Sequence, residues 1–259
     1  IGDWSSDVCS SDLASSTLND LMILGGFPEP LFSGSERTAN RWRISYGARL
    51  IREDIRDLEN IQHLDKMELL YHQLPHTISS TLSINSLRED LELSFDTVKD
   101  WIAVFEKNYI CFRLPPLGGT KILKNIRAVK KEQKLYYWDW TMVEDRAARF
   151  ENLIAFHLLR FNHWLQDELG LRTELRYFRD TRGHEVDFVF LNNNKPWFVV
   201  EVKQSAQKLD PNMRYLLERV KFPLAFQIHL NGNDDYRMED INGAMVFIMP
   251  AAKFLQFLP

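Results

Sequence analysis

The stretch 184–203 constrains the fold of this chain more than any other segment. It reads H-E-V-D-F-V-F-L-N-N-N-K-P-W-F-V-V-E-V-K. Two runs of β-branched, aromatic and aliphatic residues flank a turn-forming N-N-N-K-P cluster, a pattern that is typical of a β-hairpin. The sequence therefore predicts two antiparallel strands, at 186–191 and 197–202.

Three charged residues, Asp187, Glu201 and Lys203, interrupt this apolar hairpin. A loop centred on Asn194 puts Asp187 directly opposite Glu201, and residues opposite each other share a face of the sheet. Lys203 joins them because it lies two residues beyond Glu201. Opposed carboxylates repel, so the arrangement requires either a bound cation or a structural partner such as the lysine.

Composition predicts a globular chain. Its 259 residues are 45% apolar and 12% aromatic, enough for two domains with their own cores. The formal net charge of −4 argues against an overall polyanion-binding surface but leaves room for local basic clusters. Cys9 and Cys111 are too few for a disulfide framework or a cysteine zinc site, which favours a reducing cytoplasm. No run of about 18 apolar residues predicts a membrane span.

The N-terminal part divides into two segments of different character. Residues 1–13 are rich in Ser and Asp and lack a period, and D-V-C-S-S-D-L at 7–13 matches a translated sequencing adapter. We interpret 1–13 as a sequencing or assembly artefact that truncates the native protein; a natural disordered tail is the alternative. Residues 14–64 predict helices, including an amphipathic helix that begins at Glu36.

Residues 65–139 have the order of a winged helix-turn-helix: helix, short helix, turn, longer helix and strand. Ser94 or Asp96 is the predicted cap of the longer helix. Its outward residues are more acidic than basic, which favours packing over DNA recognition by this helix.

The segment 121–134 is strongly basic, with six basic residues and one acidic residue. As a β-wing or loop it is a candidate for contact with a nucleic-acid backbone, and an ordinary solvated loop is the alternative. The candidate contacts are Lys121, Lys124, Arg127, Lys130 and Lys131.

Residues 140–259 predict a helix, a three-stranded meander, a second helix, further strands and a terminal helix. This order indicates an α/β/α domain with a mixed sheet, and an α+β arrangement for the whole chain.

Glu151, Asp187, Glu201 and Lys203 match in order the motif of the PD-(D/E)xK nuclease-like superfamily, although Val186 stands where that motif has proline. With G-G-F-P-E-P, I-R-E-D-I-R-D-L and Y-F-R-D-T-R-G-H-E-V-D-F, the chain resembles the C-terminal part of prokaryotic AAA+-type ATPases that carry a C-terminal domain of unknown function, number 4143. The resemblance implies a helical lid and winged helix from an ATPase, followed by a restriction-endonuclease-like domain. ATP would bind only in an N-terminal core, because this sequence has no Gly-rich phosphate loop.

The residues themselves suggest the chemistry. Asp187, Glu201 and the carbonyl of Val202 are hard oxygen ligands suited to one Mg²⁺, with Glu151 completing the shell through a water. Lys203 would position the attacking water or stabilise charge developing on phosphorus.

Glu185 and Gln204 are accessory candidates at this site, and Glu185 shares the strand parity of Asp187. A winged helix that serves only as an assembly surface is one alternative, and two further functions remain open. One is Mg²⁺-dependent cleavage of DNA phosphodiesters, and the other is a non-catalytic module that binds DNA or a protein and is coupled to an ATPase core.

Overall fold

The computed structural model describes residues 5–55, 63–118, 120–123, 126–232 and 237–259, with the side chains of 5–13 and 54 outside the description. The chain divides into two compact units. The helical unit comprises Thr17–Arg113 and Lys134–Asn152, and the sheet unit comprises chiefly Leu114–Gln133 and Leu153–Pro259. Within the described residues, no helix combines the length and apolar character needed to cross a bilayer.

Helices and one small sheet make up the first part of the chain. The elements, in order, are α1 (Ser5–Leu24), α2 (Pro28–Ser33), α3 (Glu36–Arg49), a π-helical turn (Leu50–Ile55), α4 (Leu64–Gln73), a 3-10 turn (Leu74–Thr77), α5 (Ile84–Asp90), α6 (Phe95–Lys107), β1 (Cys111–Leu114), β2 (Lys134–Tyr137) and a second 3-10 turn (Trp140–Met142). Helix α1 begins at Ser5, within the segment 1–13, and the artefact interpretation of that segment stays a prediction.

The order α4, α5, α6, β1 and β2 is the one predicted for a winged helix, and β1 pairs with β2 in a two-stranded sheet. Serine side chains begin the two later helices: Ser83 accepts the N–H of Ser86, and Ser94 accepts the N–H of Thr97. Ser94, and not Asp96, is therefore the cap of α6.

The sheet unit is built on six strands. They are β3 (Thr173–Arg179), β4 (Glu185–Asn192), β5 (Lys195–Ser205), β6 (Leu224–Asn231), β7 (Arg237–Ile241) and β8 (Ala244–Pro250), in the spatial order β3-β4-β5-β6-β8-β7. The pairs β3–β4, β4–β5 and β7–β8 are antiparallel, whereas β5–β6 and β6–β8 are parallel. The sheet is therefore mixed, as predicted.

Three helices complete this part of the fold: α7 (Arg146–Asp167), α8 (Pro211–Leu217) and α9 (Ala251–Leu255). Met213 of α8 is buried in one hydrophobic core with Val189 and Val199 of the sheet. Phe190 and Phe198 are the next residues along the same strands and lie on the opposite face of the sheet. Both pack against Phe161 of α7. Helices thus cover both faces, which confirms the mixed α/β class.

Candidate functional site

A two-residue turn joins β4 to β5. Asn193 and Asn194 both adopt positive φ, at 50° and 59°, and the flanking Asn192 pairs with Lys195. Positive φ at both central residues is the mark of a type I′ turn, in which Asn is favoured. The loop is thus centred between the two asparagines, and the expected centre on Asn194 is wrong by half a residue.

A register shift in the middle of the hairpin compensates for that difference. Beyond the shift Phe188 pairs with Val200, so the next residues outward, Asp187 and Glu201, stand opposite each other. Asp187 and Glu201 therefore share one face of the sheet, as predicted.

Each of the two carboxylates accepts a hydrogen bond from a backbone N–H of the opposite strand. Glu201 Oε2 accepts the N–H of Asp187 at 3.3 Å, and Asp187 Oδ2 accepts the N–H of Val202 at 3.0 Å. Because the N–H and C=O of a strand residue point to the same neighbour, the carbonyl of Val202 also faces β4. The two carboxylates and this carbonyl thus all belong to the strand pair β4–β5.

Lys203 is held by two carboxylates. Its Nζ lies 2.7 Å from Glu201 Oε1 and 2.7 Å from Asp210 Oδ2. Asp210 is also the N-cap of α8, where its side chain accepts the N–H groups of Asn212 and Met213. We name Asp187, Glu201, Lys203 and Asp210 the carboxylate–lysine cluster.

Asp210 is not among the predicted site residues. The pattern D-P-N at 210–212 is typical of a helix start, with a capping aspartate before a proline at the first helical position. That pattern identifies the cap, but it contains no information about the approach of α8 to Lys203.

Burial and neighbouring charge shape the electrostatics of the cluster. Glu201 exposes only 5% of its surface, and burial together with the charge of Asp187 raises its pKa well above the ordinary value, although Lys203 opposes the shift. Burial acts to lower the pKa of Lys203, but Glu201 and Asp210 outweigh it and raise that pKa. The lysine is therefore a cation at neutral pH and not a general base.

Glu151 makes its contacts in the helical unit. Its Oε1 accepts hydrogen bonds from Lys134 Nζ at 3.1 Å and from the Tyr136 hydroxyl at 2.7 Å, and Ser79 donates to its Oε2 at 2.5 Å. Burial acts to raise the pKa of Glu151, but Lys134 and these hydrogen bonds outweigh it and lower that pKa. The carboxylate is already balanced by a buried cation, and its role as a metal ligand stays a prediction.

The accessory candidates have different surroundings. Glu185 Oε2 lies 3.3 Å from Arg179 Nη1 on the neighbouring strand β3. Gln204 is exposed on β5, one residue beyond Lys203.

The predicted nucleic-acid contacts Lys121, Arg127, Lys130 and Lys131 are all exposed. Lys124 lies outside the described residues. The segment that carries them belongs to the sheet unit, where Ala128 forms a β-bridge with Asp180.

The donor set fits a hard divalent cation. Asp187, Glu201 and the Val202 carbonyl offer oxygen ligands, and Mg²⁺ commonly binds through one or two carboxylates while keeping several waters. Within the described parts of the chain, no three His, Cys, Asp or Glu side chains are grouped as ligands of one ion. A magnesium ion here would therefore depend on water and substrate oxygens for the rest of its shell.

Comparison with known families assigns the two parts of the chain to two different family models, whose matches meet close to Glu151. Residues 15–149 match the family model described as domain of unknown function DUF8612, and residues 146–254 match the model described as domain of unknown function DUF4143. No significant match was found among curated proteins or among solved structures.

Proposed function

Because the chain belongs to the family of the domain of unknown function DUF8612, whose description assigns no activity, we propose a function from its geometry: the sheet unit is a Mg²⁺-dependent DNA phosphodiesterase. The single observation that carries the proposal is the opposed pair Asp187 and Glu201. Two carboxylates opposite each other on neighbouring strands repel, and the pKa of Glu201 is raised first by burial and then by this repulsion. A divalent cation between them would relieve it.

Bound magnesium would polarise the scissile phosphate and acidify a water. Asp187 and Glu201 would hold the ion through side-chain oxygens, and the Val202 carbonyl would add a third oxygen. Lys203, 2.7 Å from Glu201 Oε1, would orient the attacking water or stabilise negative charge on phosphorus. Asp210 would keep the lysine directed at this point through its own 2.7 Å contact.

The context of the cluster supports DNA as the substrate. The basic segment contributes the exposed cations Lys121, Arg127, Lys130 and Lys131 to the same unit, and cations of this kind neutralise backbone phosphates. The resemblance to ATPases with a C-terminal domain, together with the helix order of α4–α6, supports a role coupled to nucleotide state in a larger ATPase.

A second candidate function rests on the contacts of Lys203. Its ammonium is 2.7 Å from both Glu201 and Asp210, so the lysine compensates part of the negative charge of the three carboxylates without a metal. Such an ion-paired arrangement suits a module that binds DNA or a protein partner without cleaving it.

Cleavage assays on plasmid and single-stranded DNA with Mg²⁺ test the first candidate. The wild type is expected to cut, and Asp187→Ala to lose activity by at least about 100-fold, because it removes a metal ligand. Glu168→Ala, which removes an exposed carboxylate elsewhere in the sheet unit, is the matched control and should cut like the wild type.

Equal absence of cleavage by the wild type and by Asp187→Ala would reject the catalytic proposal. Salt-dependent DNA binding that is unchanged by Asp187→Ala and by EDTA would then support the binding module. Absence of DNA binding at low salt would remove DNA from both candidates.

A further inference from the structure

A second polar site lies on the surface of the sheet unit. It is an open pocket of about 580 Å³, a volume within the range of ligand sites. Arg127, Arg182, Arg219, Tyr215 and Asp180 line it, together with Thr181 and Ile126. The three arginines come from three separate parts of the chain: the basic segment, the β3–β4 turn and the residues that follow α8.

Backbone hydrogen bonds fix two of these elements side by side. The N–H of Thr181 donates to the carbonyl of Arg127 at 2.8 Å, and the N–H of Val129 donates to the carbonyl of Arg179 at 2.9 Å. The basic segment therefore runs along the end of β3. Arg127 and Arg182 are held near each other by main-chain contacts that leave their guanidinium groups available.

Asp180 is the acidic residue at this pocket, but its charge is directed inward. It is 3% exposed, and its Oδ1 accepts the N–H groups of Arg182 at 2.8 Å and His184 at 3.0 Å. Its Oδ2 lies 2.9 Å from His184 Nδ1. In the described part of the chain, neither Arg127 nor Arg182 has a side-chain partner, so Asp180 does not neutralise them.

Tyr215 also lines this pocket, and both faces of its ring are covered. The His184 ring stacks on it at 3.9 Å between centroids and 5° between planes, and Arg219 Cζ lies 3.8 Å from the same centroid. Groups this close to one centroid must occupy opposite faces. A nucleobase therefore has no open face of Tyr215 to stack on, and recognition here depends on charge.

We propose that this arginine pocket, formed by Arg127, Arg182 and Arg219, binds a backbone phosphate of a single DNA strand. Guanidinium groups match phosphate oxygens in geometry and charge. The inference deepens the proposed function, because it assigns the contact that positions the strand at the carboxylate–lysine cluster.

The distance between the two sites fits a continuous strand. His184 precedes Asp187 by three residues, about 10 Å at 3.3 Å per strand residue. Tyr215 follows Asp210 by five residues, about 7 Å at 1.5 Å per helical residue. A strand that rises about 3.4 Å per nucleotide covers such a separation in two to three steps.

Fluorescence anisotropy with a labelled single-stranded oligonucleotide, in EDTA, tests the assignment without requiring cleavage. Arg182→Gln and Arg219→Gln are each expected to weaken binding by about tenfold, since each removes a charged hydrogen-bond donor. Arg160→Gln, which changes an exposed arginine on α7, is the matched control and should bind like the wild type.

Wild-type affinity in both pocket variants would overturn the proposal, whatever the cleavage assay shows. A competition arm uses ATP and inorganic pyrophosphate as free phosphate sources. If the pocket variants lose affinity for ATP but keep affinity for DNA, the site binds a small phosphorylated ligand and the strand assignment is wrong. Loss of DNA binding in the pocket variants with intact cleavage by the wild type would support both proposals together.

Discussion

Lys134 is a charged residue in the interior of the helical unit. It is 1% exposed, and its ammonium faces Glu151 at 3.1 Å. Removal of one member of a buried pair leaves the other charge without compensation, which costs about 3–5 kcal/mol. We therefore expect Lys134→Met to lower the free energy of unfolding by that amount in urea titrations.

Lys131→Met provides the control for this measurement, because Lys131 is exposed and its loss should change stability by less than about 0.5 kcal/mol. The double variant Lys134→Met/Glu151→Gln should recover part of the loss, since the uncompensated charge is gone. Equal stability of Lys134→Met and Lys131→Met would contradict the buried pair.

His157 makes stability depend on pH. Burial, with a smaller contribution from Arg160, lowers its pKa from 6.5 to about 4. Between these values the unfolded chain binds a proton that the folded chain does not, so stability falls as the pH is lowered from about 6.5 to about 4. The expected loss is about 2–3 kcal/mol.

Urea unfolding of the wild type and His157→Gln at pH 7 and pH 4.5 measures this contribution. The wild type should lose more stability than His157→Gln on acidification, because glutamine does not titrate. His76→Gln, at an exposed histidine, should follow the wild type. A parallel decline in all three proteins would exclude His157 as the cause.

At the scale of elements, Asp210 links the start of α8 to β5. It caps the helix and holds Lys203 at 2.7 Å. Asp210→Asn should retain the cap, because asparagine is an equally good N-cap. Asp210→Ala should lose the cap as well, and its free energy of unfolding should be lower than that of Asp210→Asn by about 1 kcal/mol. Thermal unfolding of the two variants separates the cap from the ion pair. Identical stabilities would mean that the cap contributes nothing.

The turn between β4 and β5 offers a second prediction for an element. Asn194 has a φ of 59°, which glycine adopts without steric cost and a β-branched residue does not. We expect Asn194→Gly to raise the unfolding free energy by about 0.5 kcal/mol and Asn194→Val to lower it by at least about 1 kcal/mol. Stabilisation by valine would rule out this turn geometry.

The whole molecule carries a net charge of −4, so DNA binding depends on few local contacts. With about three neutralised phosphates, the slope of log K against log salt for a single strand should be about −2. Affinity should thus fall by about 20-fold between 50 and 200 mM salt, as measured by anisotropy. A slope near zero would exclude backbone phosphates as the main contacts, and one near −7 would require many more.

The periodicity and turn residues of the chain were sufficient to predict the helix order α4–α6, the meander and the α/β class. Strand β7 was not singled out, because R-M-E-D-I is largely exposed at a sheet edge and lacks the alternation that burial imposes. The contacts of Glu151 could not be predicted either, since Ser79 and Lys134 are distant in sequence and only the folded helical unit brings them together.

The hairpin 184–203 shows what the sequence determined by itself. Its apolar runs and asparagine-rich turn specify two strands, and the spacing of Asp187, Glu201 and Lys203 places charge in them. A two-residue turn alone would have put Asp187 and Glu201 on opposite faces, because a slip of one residue reverses every side chain. Only tertiary structure decided that a register shift would restore their pairing and that Asp210 would reach Lys203, because both depend on how the strands and α8 pack.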